Sequence, residues 1–146
     1  MAITPAWYGL GLLAVVKQQH NLETAAVKLS LHTDVYVPNR DTHDFWNDAT
    51  SELAAGNGYV AGGVTLAGVA WSYDAATDEV RLDFTDPVWA FTAAKTWRFG
   101  VIYVDTGGAS TTDPLIALLT WDANQTVSTG YTLNVDPAGL IALDTT

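Results

Sequence analysis

A mainly β fold is predicted: a single-domain β-sandwich or barrel-like structure with an N-terminal helix and one short additional helix. Three features of the 146-residue chain carry that expectation. Apolar and polar residues alternate with period two in several segments, the pattern of a half-buried strand. Glycine, proline and aspartate punctuate those segments at short intervals, as turns between strands require. Two longer runs, Thr96 to Val104 and Leu115 to Trp121, are apolar on both faces, as strands in the middle of a doubly covered sheet must be. The length suits one domain over 1–146, divided into an N-terminal helical arm (1–24) and a β body (25–146).

Thr4-Pro5 reads as a helix start. Threonine caps, and proline is tolerated at the first helical position, where its missing N–H would have no partner in any case. The helix is predicted to run to about Gln19, weakened by Gly9 and Gly11. Its apolar residues lie all round, so it needs cover on more than one side, from its own domain or from a neighbouring subunit. From Ala26 the period changes. Val27, Leu29 and Leu31 alternate with Lys28, Ser30 and His32, which places His32 on the polar face of a strand. Val37 is held extended by Pro38. Asp41 to Asp48 is predicted to be the short second helix, capped by Asp41 or Thr42.

Glycines at 56, 58, 62 and 63 bracket Tyr59-Val60 in turns. Val64 to Tyr73 is predicted to be one strand. A turn over Tyr73 to Asp78 follows, and then Val80, Leu82 and Phe84 alternate with Glu79, Arg81 and Asp83, the clearest hairpin in the chain. Asp86-Pro87 ends it, and Trp89 and Phe91 fall in a connecting stretch. Within Thr96 to Val104, strict alternation puts Trp97, Phe99, Val101 and Tyr103 on one face and Ile102 and Val104 on the other. Asp105 to Pro114 is a loop. Val127 to Val135 alternates again, Asp136-Pro137-Ala138-Gly139 is a turn, and Leu140 to Leu143 is a last strand. The total is six or seven strands.

Composition narrows the function. Hydrophobic residues are 49% and charged residues 15%, enough apolar surface to offset chain entropy and fold. The net charge is −10, with only six Lys and Arg, and they are scattered. Duplex binding draws its affinity from clustered cations on phosphates, so no nucleic-acid partner is expected, and anionic membrane surfaces are disfavoured for the same reason. The apolar stretch Ala6 to Val16 is shorter than the roughly 20 residues a bilayer span needs. The absence of cysteine removes disulfides, thiolate metal sites and thiol nucleophiles.

Little chemistry remains. Asp41-Thr42-His43-Asp44 joins a histidine to carboxylates, and reads as a solvated helix cap more readily than as a metal site. The acidic stretch from Asp74 to Asp86 lacks calcium-loop spacing. Gly107-Gly108-Ala109-Ser110 lacks the lysine and the following helix of a phosphate loop. No G-x-S-x-G elbow occurs. No catalytic residue, cofactor or metal is expected. The six tryptophans instead suggest contact surface, because buried aromatic anchors dominate binding energy. Trp97 and Trp121 are assigned to the core. Trp7, Tyr8, Leu10, Phe45, Trp46 and Trp89 are the candidate interface residues.

Val27-Lys28-Leu29-Ser30-Leu31, followed by Tyr36-Val37-Pro38-Asn39-Arg40-Asp41-Thr42-His43-Asp44-Phe45, resembles a family of small tailed-bacteriophage virion proteins. In that family a short apolar strand precedes a Y-x-P-x-x-D-T-H-D-F run. The likeness extends through Gly58 to Leu66, Tyr73 to Asp83, Val101 to Gly107, Pro114 to Ala117 and Asp136 to Leu140. The N-terminal helix departs from it, since family members carry a more polar, lysine-containing helix there. The resemblance implies a structural component of the particle. Its leading role would be a capsid decoration (cement) protein on the outer head surface, bound to the major capsid protein and homo-oligomeric, with a trimer favoured. Such a protein would be made in the host cytoplasm. A tail, neck or fibre-associated component is the alternative. A carbohydrate-binding module using exposed Trp and Tyr is a third reading, and a hydrolase a fourth.

Overall fold

The structure, a computed structural model, describes residues 2–136 and 139–144. Its elements follow in the order β1 Ile3–Trp7, α1 Gly9–Val16, β2 Val27–His32, β3 Val64–Thr65, β4 Ala70–Asp74, β5 Glu79–Asp83, β6 Val88–Trp89, β7 Lys95–Val104, β8 Leu115–Val127, β9 Tyr131–Thr132 and β10 Ile141–Asp144. The fold is mainly β, with sheets packed together in a sandwich-like arrangement and one α-helix. A five-stranded antiparallel sheet runs β1-β8-β7-β2-β3, beside a three-stranded sheet β10-β5-β4 and a two-stranded ribbon β6-β9.

The central strands β7 and β8 are covered on both faces, as their two-sided apolar sequences predict; β2, read as half-buried with Ser30 and His32 on a polar face, is covered on that face too. On the inner face Val27, Leu29 and Leu31 of β2, Ile102 and Val104 of β7, and Leu119 and Trp121 of β8 join one core. That core also takes in Leu82, Ile141 and Trp89 from the smaller sheets. Trp97 and Trp121 are fully buried there, edge-to-face at 6.1 Å. On the outer face Val101, Tyr103, Leu115 and Leu118 pack under Tyr8, Tyr36 and Trp46, residues from the start of α1 and from the long segment after β2.

Strict alternation fails at one point in β7. The pairing with β8 shifts register between Trp97 and Phe99, where Arg98 stands against the four β8 residues Trp121 to Asn124, and this irregularity places Trp97 in the inner core while Phe99, Val101 and Tyr103 stay on the outer face. The predicted shared face of Trp97 and Phe99 is corrected accordingly.

The N-terminus also differs from its reading. Residues 3–7 form β1, paired with β8 at the edge of the main sheet, and the helix begins only at Gly9. Pro5 is tolerated because an edge strand has one unpaired side. The first residues are thus woven into the sheet rather than held out as an arm. The second predicted helix shrinks to a single turn at Trp46–Asp48. Before it, the Asn39 side chain accepts the N–H groups of Asp41 and Thr42 in a separate turn, and the helical turn itself starts after Phe45 with no side-chain cap, so the cap assigned to Asp41 or Thr42 is corrected. The single strand expected over Val64 to Tyr73 is split into β3 and β4, with Gly68 between them at a φ of 64°. The hairpin β4-β5 stands as predicted, with Asp74 opposite Glu79. The two strands read over Leu115 to Trp121 and from Val127 onward become one long β8 followed by the two-residue β9. In the turn read at Asp136 to Gly139, Pro137 and Ala138 lie outside the described residues, and Gly139 donates to the Asp136 carbonyl.

Candidate interaction surface

Helix α1 crosses the start of β8 at a single small residue. Gly11 is buried, and a methyl group placed on it would come within 1.7 Å of the Leu115 carbonyl oxygen. The helix is fixed there by backbone hydrogen bonds from Tyr8 to Ile116 and from Gly9 to Arg40, both 3.0 Å. Because glycine is the point of contact, the bulky residues point elsewhere. Leu10, Leu13 and Val16 remain 44%, 46% and 67% exposed. The expectation that the helix is covered on more than one side is not met within this chain.

Beside that apolar face runs a groove of about 430 Å3, walled by Leu10, Leu13 and Ala14 on the helix and by Phe45 and Pro114 opposite. Lys17, His20 and Asp44 line it with charge and polarity. The far wall is rigid. Phe45 bridges to Pro114, Trp46 N–H donates to Asp113 O at 2.8 Å, and Leu115 N–H donates to Asp44 O at 2.9 Å. Such a wall needs little reordering on binding, which lowers the entropic cost of a contact.

Among the predicted interface residues, Leu10 and Phe45 meet across this groove. Trp46 is half-buried, stacked on Tyr103 at 4.9 Å with its indole N–H on Ser30 Oγ. Trp7 is half-buried against Trp71 at 5.7 Å. Tyr8 and Trp89 are corrected: both are buried, at 0% and 3% exposure, and neither ring reaches the surface. Tyr8 is drawn inward by its hydroxyl, which is hydrogen-bonded to the Tyr36 hydroxyl, itself hydrogen-bonded to His43 Nδ1. Burial pushes the Tyr8 phenol far above its ordinary range, so this chain of hydroxyls stays protonated. Leu13, Val16 and Pro114 were missed, although the spacing of Leu10, Leu13 and Val16 along a helix was there to be read.

His32 is a second correction. It is fully buried, with Nδ1–H on Thr50 O at 2.7 Å and Nε2 accepting from Ser30 Oγ at 2.8 Å. A serine bonded to a histidine suggests a nucleophile and its base. Here, however, Ser30 is also fully buried, and the third partner is a backbone carbonyl. The pair ties β2 to the segment over it.

Compared with protein-family models, curated proteins and solved structures, the chain matches none. No helix among the described residues is long and apolar enough to cross a membrane. No group of three or more His, Asp or Glu converges among the described residues.

Proposed function

We propose that the protein is a non-enzymatic structural component of a tailed-bacteriophage particle, with capsid decoration on the outer head surface as its leading role and the major capsid protein as its partner. The observation that carries the docking role is the apolar face of α1: three large side chains stand exposed beside a preformed groove. Single exposed apolar residues are ordinary, but a contiguous set flanking a rigid wall has the character of an interface. The phage assignment draws on the sequence resemblance. The net charge of −10 suits a position away from packaged DNA. Binding only to the assembled shell would stabilise that shell by mass action, and a homo-oligomer, favoured as a trimer, would multiply each contact.

The test is incorporation. Purified heads incubated with the protein are expected to take it up at a fixed ratio to the major capsid protein, in hundreds of copies. Leu13→Asp is expected to abolish uptake, through loss of about 2 kcal/mol or more at an anchor position. The same variant should change monomer stability by no more than about 0.5 kcal/mol, since the side chain is half-exposed. A dozen or fewer copies per virion would move the assignment to neck or tail. Unchanged uptake of Leu13→Asp would remove α1 as the docking face.

A further inference from the structure

The cleft between the end of α1 and β4 carries a second binding site, and we propose that it takes a neutral saccharide. Trp71 on β4 stacks on Trp7 with ring planes 19° from parallel, and Trp7 Nε1 donates to Ala142 O at 3.0 Å. The backbone N–H of Trp71 donates to Glu23 Oε1 at 3.0 Å. The indole of Trp71 is therefore held in place before any ligand arrives, and it remains half-exposed. It lines a cleft of about 420 Å3 together with Val15, Gln18, His20, Asn21 and Leu22. That volume falls within the range of about 300–1,000 Å3 usual for small-ligand clefts.

The polar groups around it are free to bind. The helix ends at Val16, and Gln18, at a φ of 58°, reverses the chain so that Gln18 and His20 to Leu22 line the cleft with Trp71. The side chains of Gln18 and His20 make no hydrogen bond among the described residues. Asn21 spends only Oδ1, on the Glu23 N–H, which leaves its amide donor free. An aromatic ring flanked by two planar amides and an imidazole matches a ligand with an apolar C–H face and a rim of hydroxyls. No Lys or Arg lines the cleft, Glu23 stands at its edge, and the chain is strongly acidic, so an anionic sugar is repelled. A peptide strand adding to the β4 edge would need the Trp71 N–H that Glu23 already occupies. The site shares only His20 with the groove beside α1, and the inference does not rest on the particle role.

The test is a titration of the isotope-labelled full chain with a panel of neutral mono- and oligosaccharides, followed at the Trp71 indole N–H by NMR. At least one neutral sugar is expected to shift that signal saturably. Trp71→Ala should abolish the response. Because Trp71 also packs on the core, two exposed positions keep the test independent of folding. Gln18→Gly suits the positive φ, and Asn21→Asp keeps the acceptor for Glu23 N–H. Each is expected to weaken binding about ten-fold, the effect of losing one ligand hydrogen bond. The proposal is overturned if no neutral sugar moves the signal, if only acidic sugars do, or if Gln18→Gly and Asn21→Asp both bind like the parent chain.

Discussion

His32 Nδ1 lies 2.7 Å from the carbonyl oxygen of Thr50, and this bond joins the centre of the main sheet to the segment that covers it. With Ser30 on its other nitrogen, the imidazole is held neutral, and burial lowers its pKa from the ordinary 6.5 to about 4. The unfolded chain binds this proton more readily, so stability rises with pH across that interval. The contribution is complete above pH 6.5 and is lost as pH falls through about 4. The gap corresponds to about 3 kcal/mol. Chemical unfolding at pH 7 and pH 4.5 should show the loss, and the His32 ring protons should not titrate by NMR until well below pH 6. A titration midpoint near 6.5 would refute the buried neutral form.

Gly9 and Gly11 should respond oppositely to alanine. At Gly11 the new methyl meets the Leu115 backbone at 1.7 Å, and backbone cannot swing aside. Gly11→Ala is expected to cost about 2–3 kcal/mol or to displace the helix. At Gly9 the nearest atom is 3.6 Å away, an ordinary contact. Gly9→Ala should be neutral or stabilising by up to about 0.5 kcal/mol, through better helix propensity. Thermal melts of the two variants decide it, and equal effects would mean that α1 does not rest on β8 through Gly11.

The elements that were legible in the sequence are those whose neighbours obey the same period. Leu29 and Leu31 of β2 face the core in register with a well-paired strand, and the hairpin of β4 and β5 closes over a short polar turn. What escaped is tertiary. Nothing local to Trp97 announces the register shift that turns it away from Phe99. Thr4-Pro5 has the chemistry of a helix cap, yet pairing with Thr120 and Leu119 makes it an edge strand. Ser30 and His32 look like a solvent face because the segment that buries them follows in sequence as a proline-containing loop. At the groove, Leu10 and Phe45 could be named singly, but that they face each other depends on where the chain lays α1 across β8.

The tyrosine relay beneath α1 has an order that mutation can expose. The Tyr8 and Tyr36 hydroxyls share a hydrogen bond at 2.8 Å, and the Tyr36 hydroxyl is also hydrogen-bonded to His43 Nδ1 at 3.0 Å. Tyr8→Phe leaves the second bond whole and should cost about 0.5–1.5 kcal/mol. Tyr36→Phe strands the buried Tyr8 hydroxyl and breaks both bonds, at about 1–3 kcal/mol. Urea unfolding of the two variants should rank them in that order, and the reverse ranking would mean that Tyr36 is not the centre of the relay.

Glu52 lies beside His32 across an isolated β-bridge and should act on stability with the opposite sign. Its carboxylate accepts from the Tyr59 hydroxyl at 2.8 Å and from the Gly62 N–H at 2.6 Å. Burial outweighs those bonds and raises its pKa above the ordinary carboxylate value. The folded state therefore holds this proton more tightly than the unfolded one. Its stabilisation is present below the ordinary value of 4.5 and is lost as pH rises through the elevated one. Glutamine accepts the same two bonds through its carbonyl oxygen without the buried charge. Glu52→Gln is thus expected to match the parent protein at low pH and to exceed it in stability at pH 8. Paired urea titrations across that range provide the measurement. A variant that falls below the parent at pH 8 would mean that the charged form of Glu52 contributes more through its bonds to Tyr59 and Gly62 than burial takes away.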